Sequence, residues 1–311
     1  MNKVLVAGLE SAVGSNLAVC LARSRSLTGV SLAESVHLDG CDIESPVEPS
    51  LDAVRQLFDR VQPQHVIFCG AGARTGWDES GGNPTESDVH LASNWIKAAG
   101  EAGAHLTLIS SGAVFTGPWM FHSENSQSFC TSPSAQCLRA IETAAAELCP
   151  GSLIVRTHAF GWQPGGKSGW VESLLRHYEQ GQTPGLDCYR YASPILASDL
   201  ADIISRAWTA GLSGIYHIAG AERANPFQFV RRLAHHFQLP APSAPVSDFL
   251  IDRPTGFGCG ETSLQTRKVR RALHVSLPML EDGVLRLFQQ HMDGYRSRLA
   301  GTSTTPASRV A

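Results

Sequence analysis

The chain has 311 residues, enough for one large domain or for a domain and a smaller lobe around a substantial core. Hydrophobic residues at 43% and charged residues at 17% are those of an ordinary soluble globular protein. A formal charge of -3, with no basic run, gives no electrostatic case for nucleic acid or an anionic membrane as a partner.

The opening residues, MNKVLVAGLES, hold an apolar run that Gly8 breaks at once, which suits a buried strand better than a signal peptide. No apolar stretch approaches the roughly 20 residues needed to span a bilayer. The eight cysteines are scattered, with no Cys-x-x-Cys and no zinc spacing, so they read as reduced thiols in a cytoplasmic protein without a metal site.

In chain order, VLVAG (4–8) is a strand that ends in glycine, and a helical pattern follows through Leu17, Val19 and Leu21. The second strand is either LTGVSLA or SVHLD. VIFCGAGA (66–73) repeats the strand-into-glycine pattern. A helix over 88–102 precedes the strand HLTLISS (105–111). The helix containing CTSPSAQCLRAIE precedes the strand SLIVRT (152–157). Strands alternating with helices at this spacing predict a doubly wound α/β fold with a parallel sheet covered on both faces.

After about residue 160 the pattern loosens into loops rich in Gly, Pro and aromatics. Helices are expected over 169–180, 198–210 and 226–237, with a strand at GIYHIAG (214–220). The expected division is a core over 1–160, a smaller substrate lobe with returning core elements over 161–295, and a disordered polar tail over 296–311.

The turn GLESAVG (8–14) joins the first strand to the first helix, as a dinucleotide-binding (Rossmann-type) fold requires. Gly8 makes the tight turn, Ser11, Ala12 and Val13 open the helix towards a pyrophosphate, and Gly14 permits close helix–strand packing. Ser11 stands where the usual middle glycine would be. Its Cβ would crowd a phosphate, although its hydroxyl offers a hydrogen bond. The ribose-binding acid is Glu34 or Asp39, depending on where the second strand lies, and Asp42 suits an adenine-side contact. Gly70, Ala71 and Gly72 form the second glycine-rich turn. No basic cluster suits a 2′-phosphate, so of NAD and NADP the sequence leans to NAD.

Several segments in the right order resemble the extended short-chain dehydrogenase/reductase superfamily, most closely its dTDP-4-dehydrorhamnose reductase branch. They are VLVAGLESAVGSNL, LDGCDI, PQHVIFCGAGA, AAGEAGAHLTLISSGAVFTG, LIVRTHAFGW, YASPILASDLADII, GIYHIAG and RPTGFGCGETSLQTRKV. The resemblance covers about residues 3 to 290. It implies reduction of a 4-keto nucleotide sugar with Tyr as general acid/base, Lys four residues later and a substrate-orienting Ser or Thr.

The orienting hydroxyl is present as Ser111. The Tyr/Lys pair is not. Aligned on Glu142 the pair becomes Ser134 and Leu138; aligned on Ser-Pro it becomes Cys137 and Ile141. None of the five tyrosines has Lys four residues later, and Asp88 stands where the family has a proton-relaying Asn. A Ser hydroxyl is a far weaker acid than a phenol, so ordinary hydride transfer should be severely impaired.

Other candidates near the cleft are Ser110, His122 and His158, with Cys137 as a weak acid. Trp162, Tyr191 and Arg253 are candidate substrate contacts, with Trp77, Trp170 and Tyr189 as further lobe aromatics. The leading reading is an atypical enzyme acting on a small oxygenated or sugar-like molecule, by relocated or non-redox chemistry. The alternative is a catalytically silent NAD(P)-binding or regulatory protein, which would act through a homodimer or a partner enzyme.

Overall fold

The computed structural model describes residues 3–74, 76–77, 82–166, 168–182, 186, 188–243 and 256–301. Seven strands form one parallel sheet: β1 (Lys3–Ala7), β2 (Ser26–Val30), β3 (Asp42–Glu44), β4 (His65–Phe68), β5 (His105–Ser111), β6 (Leu153–Thr157) and β9 (Gly214–His217). Their spatial order is β3-β2-β1-β4-β5-β6-β9, so the winding reverses between β1 and β4. In an open sheet of this kind a ligand crevice opens at the carboxyl ends of the strands at that reversal. A small second sheet pairs β7 (Ala159–Phe160) with β8 (Ile195–Leu196).

The strands are almost wholly apolar because both faces of the sheet are covered. Alternate residues serve opposite cores. Val4, Val6, Ile109, Leu153 and Val155 pack on one side, and Leu5, Ala7, Leu106, Leu108 and Ile154 on the other. The first side is roofed by α1 (Ala12–Leu21), α5 (Trp170–Glu179), α6 (Ala197–Thr209), α7 (Pro226–His236), α9 (Leu280–Met292) and α10 (Tyr295–Leu299). The second is roofed by α2 (Leu51–Val61), α3 (Glu86–Glu101) and α4 (Pro133–Leu148). A seven-residue helix, α8 (Arg267–Leu273), follows α7 and packs against β9.

Of the two alternatives for the second strand, LTGV forms β2, paired with β1 from Lys3 opposite Ser26 to Ala7 opposite Val30. VIFCGAGA is a strand only to Phe68, and Ala71–Ala73 form a 3-10 turn. The polar tail expected over 296–311 begins inside a helix, α10. Tyr295 and Leu299 are buried against the core and hold α10 in place, whereas 302–311 lie outside the described residues. None of the eight cysteines forms a disulfide. Among the described residues no helix is long and apolar enough to cross a membrane.

Candidate active site and dinucleotide cleft

The turn after β1 is built as its glycines suggest. Gly8 has φ +91°, and a Cβ there would stand 2.0 Å from the Cys69 carbonyl oxygen. A Cβ on Gly14 would stand 2.1 Å from the Gly8 carbonyl oxygen, and one on Gly72 would stand 2.5 Å from that of Ile109. These three glycines therefore let backbones pack where no side chain fits. Ser11 caps α1: its hydroxyl donates to the Gly8 carbonyl at 2.8 Å and accepts from the Gly14 amide at 2.9 Å.

At the sheet's reversal lies a cleft of about 460 Å³. Its floor is the turn itself (Glu10, Ser11, Ala12, Val13) with Gly70 and Ala71. Leu32 and Ala33, just past β2, line it as well, as do Arg74, Asp88 and the 159–171 segment through Phe160, Gly161, Gln163 and Trp170. Helix N-termini leave backbone amides without intrahelical acceptors, and here Ala12 and Val13 open α1 on the cleft. The cleft's size, its place at the reversal and those amides fit a dinucleotide pyrophosphate. Gln163 Nε2 bonds the Glu10 carbonyl at 2.7 Å, and Asn16 Nδ2 bonds the Trp162 carbonyl at 2.8 Å. The segment after β7 is thereby latched to the turn.

Of the expected cofactor residues, Ser11, Ala12, Val13, Gly70 and Ala71 converge on this cleft, and Gly8, Gly14 and Gly72 shape it from behind. Asp42 does not line it. It is exposed at the start of β3, opposite Thr28, because the second strand ends a dozen residues before it. Glu34 and Asp39 do not line it either. The acid that reaches the tip of β2 is Glu10, from the turn, and both its carboxylate oxygens accept from the Leu32 amide, at 3.2 and 3.0 Å. No sequence pattern pointed to Glu10, since its reach depends on how the turn packs against β2.

The expected catalytic residues are less well placed for proton transfer. Ser111, at the end of β5, is buried and accepts from the Ala113 amide at 3.1 Å. Asp88 lines the cleft, but its carboxylate is the capping box of α3, accepting from the Thr85 amide and hydroxyl at 2.9 Å each. Cys137 has its thiol pushed up by burial and by the carboxylates of Glu86 and Asp88, which makes it a poor donor of charge-stabilised chemistry. Ser134, next to the start of α4, is half-buried. Leu138 and Ile141, the Lys positions in the two alignments, both face the core. Neither alignment leaves room for an ammonium.

His158 is buried beyond β6, its ring 4.5 Å from that of Trp77, and burial together with the charge of Arg190 lowers it to about 3. It is a neutral imidazole at neutral pH. Trp77 also packs on Trp170 and Phe229, and a Cβ on Gly76 would stand 3.5 Å from Gly258 Cα, so the 76–77 and 256–260 segments meet beside His158.

Two neighbouring groups are buried and held by contacts within the fold. His122 is buried and stacked on Phe115, with Nδ1 near Ser126 and Nε2 near the Glu261 carbonyl. Ser110 donates to Glu142 at 2.6 Å, and Glu142 holds Arg156 by paired bonds of 2.9 and 2.6 Å, with all three side chains buried.

Trp162, expected as a substrate contact, is fully buried instead, against Phe237, His291 and the Arg296 guanidinium. The late helices α9 and α10 supply that environment, so an aromatic in a Gly/Pro loop became core. Tyr191 stands away from the cleft, with Arg223 over its ring at 3.2 Å and its backbone bridged to Gly260 and Thr262. Arg253 lies outside the described residues. Among the described residues there is no group of three or more His, Cys, Asp or Glu able to hold a metal.

A comparison with curated proteins returned no match. Solved structures are similar over nearly the whole chain. The dTDP-4-dehydrorhamnose reductase of Bacillus anthracis, solved with NADP, has a TM-score of 0.76 at 20% identity, covering 93% of this chain and 100% of that one. The dTDP-4-dehydrorhamnose reductase of Clostridium acetobutylicum has a TM-score of 0.74 at 15% identity, covering 93% and 99%. The Bordetella bronchiseptica enzyme WbmG, solved with NAD and UDP, has a TM-score of 0.75 at 14% identity, covering 98% of each. These likenesses concern the fold. The family model described as the RmlD substrate binding domain matches residues 1–292, and the chain therefore belongs to that family.

Proposed function

We propose that the chain is an atypical reductase-like protein that binds a nicotinamide dinucleotide in the cleft and does not carry out ordinary carbonyl reduction. The observation that carries this reading is the contrast between an open, glycine-built cleft at the sheet's reversal and the state of the groups meant for proton transfer. Asp88 is spent on a helix cap, the Cys137 thiol is pushed up, His158 is held neutral and the Tyr/Lys positions are filled by small or core residues. The similar structures solved with NADP or NAD support a cofactor of that class. Such a protein would act through what it binds, as a silent member of a sugar-nucleotide family.

A second reading keeps an enzyme acting on a small oxygenated or sugar-like molecule by a non-redox step. Ser111 favours it. Its oxygen accepts from Ala113, while its own proton has no acceptor among the described residues and so is free to orient a substrate oxygen.

Isothermal titration with NADH and NADPH, followed by absorbance at the reduced-nicotinamide band with a 4-keto nucleotide sugar, tests both. Binding without turnover is the expected result. Turnover at ordinary enzymatic rates would overturn the loss of carbonyl reduction, and absence of binding by either dinucleotide would overturn the cofactor reading. Loss of function on Ser111→Ala, with binding intact, would favour the second reading.

A further inference from the structure

The net charge of -3 conceals one local excess of cations, RKVRR at 267–271, which the balance of the whole chain hides. These residues form most of α8, and the helix sorts its side chains by direction. Val269 is buried. Lys268 turns to the edge of the sheet, with Nζ on the Ile215 carbonyl at 2.6 Å and 4.0 Å from the centre of the Tyr216 ring. Arg267, Arg270 and Arg271 instead line a cavity of about 550 Å³, with His274 just past the helix. No residue of this cavity lines the dinucleotide cleft. Positions three and four apart share a helix face, so these arginines stand at spacings where like charges repel. Arg267 also sits in the first turn, where the helix dipole disfavours a cation. Among the described residues no carboxylate lines the cavity, and none of the three guanidiniums has a hydrogen-bond or ion-pair partner. The acids next to the cavity in sequence are engaged elsewhere, Glu222 with Arg232 and Glu261 with Arg223, each at 2.6 Å.

The rest of the wall is mainly apolar, with Leu264, Val275, Ala221 and Phe121. Phe121 is presented there at a conformational cost. Its φ is +57°, a left-handed conformation that bulky residues rarely adopt. Its amide donates to the Ser263 hydroxyl at 2.9 Å. Beside it the His122 amide donates to the Ser263 carbonyl and the Gln265 amide to the His122 carbonyl, at 2.8 Å each. The aromatic is thereby fixed to the segment that leads into α8, and it stays 39% exposed.

We propose that this cavity binds a nucleoside di- or triphosphate, with its phosphates on the three arginines and its base against Phe121. A guanidinium fork bonds phosphate oxygens in pairs. A chain of two or three phosphates matches three positive charges, since a single phosphoryl group already brings about -1.5 to -2 at neutral pH. A lone phosphate would leave the aromatic wall unused, whereas the volume is that of cavities holding small organic ligands. Aromatic side chains stack bases of any identity, so the site specifies a nucleotide and not one base. It does not depend on what the cleft holds.

The test is titration of the full-length chain with ATP and with inorganic tripolyphosphate. It is run without divalent cations, at physiological ionic strength, where weak surface attraction is screened. ATP is expected to bind in the micromolar range, several-fold tighter than tripolyphosphate because stacking adds to charge. Arg270→Ser combined with Arg271→Ser should weaken ATP about tenfold or more. Removing like charges relieves repulsion, so the ligand-free melting temperature of that variant should be no lower, which controls for folding. Phe121→Gly suits the left-handed backbone and should bring ATP down to the affinity of tripolyphosphate while leaving the latter unchanged. Undiminished ATP binding by the folded double variant would put ATP elsewhere, the cleft included, and overturn the proposal. Failure of ATP to bind at millimolar concentration overturns it too, as does tripolyphosphate bound as tightly as ATP.

Discussion

Ser11 is the residue in which loss and compensation are closest together. Its side chain occupies the place of a glycine, yet its hydroxyl is turned inward, bonding Gly8 and Gly14 and not the cleft. It therefore caps the helix while the residue itself lies on the floor of the cleft. Replacing a Ser cap by Gly costs only a few tenths of a kcal/mol. Ser11→Gly should accordingly keep the fold and bind NADH several-fold more tightly, as read by titration and thermal melting. A weaker complex would mean that the hydroxyl serves the phosphate after all. Gly8 and Gly14 offer no such freedom, since a methyl group at either would collide with a carbonyl oxygen.

Helix α4 is sound without a Tyr/Lys pair. Its N-terminus is sound: Ser132 caps the Ala135 amide and Pro133 occupies the first turn. Its inner face, Ala135, Leu138, Ile141 and Ala145, is buried. Glu142, the flank that anchors the family alignment, is kept for a structural reason, because it neutralises the buried guanidinium of Arg156. Arg156 in turn lies over Phe115 at 4.9 Å. Removing one partner of a buried pair leaves an uncompensated charge, so Glu142→Ala should destabilise the protein by about 3–5 kcal/mol in denaturant unfolding. The double substitution Ser134→Tyr with Leu138→Lys should fail to restore carbonyl reduction and should lower stability, because the new ammonium would have to enter the core. Recovery of turnover on a 4-keto nucleotide sugar would contradict that.

At the scale of the whole molecule, acid should be the weak side. His158 and His217 are both buried and both lowered to about 3, chiefly by burial and then by Arg190 and Arg156 respectively. An unfolded histidine takes up its proton near 6.5. Between those values the unfolded chain binds more protons than the folded one, so stability falls as the pH drops from about 6.5 towards 3. Above about 7 both states are neutral and these groups contribute no slope. Melting temperatures measured across that window should decline, and His158→Asn and His217→Asn should each flatten the decline.

The same scale explains what could be read in advance. The parallel sheet was legible because strands buried on both faces are continuous apolar runs ending in glycine. Strands of two or three residues, such as β7, β8 and β3, have no period to detect. Helix α2 was not expected, although its sequence carries a signal, with Ser50 as cap and Val54, Leu57, Phe58 and Val61 on one face. The loss of the Tyr/Lys pair was fully readable. The burial of Trp162 and the reach of Glu10 were not, because both depend on partners far away in the chain.

The latch between the turn and the segment after β7 ties two distant parts of the chain to one site. Gln163 holds that segment on the turn and Asn16 holds it on the first helix, and the same segment forms one wall of the cleft while its continuation, α5, roofs the sheet. Any molecule that fills the cleft therefore touches the first and the fifth helix together. By linkage, its binding energy is also ordering energy for the wall, and anything that orders the wall tightens the molecule by the same factor. Under the proposed reading, occupancy of the cleft is reported in this way, through the rigidity of the described wall residues Gly161, Gln163 and Trp170.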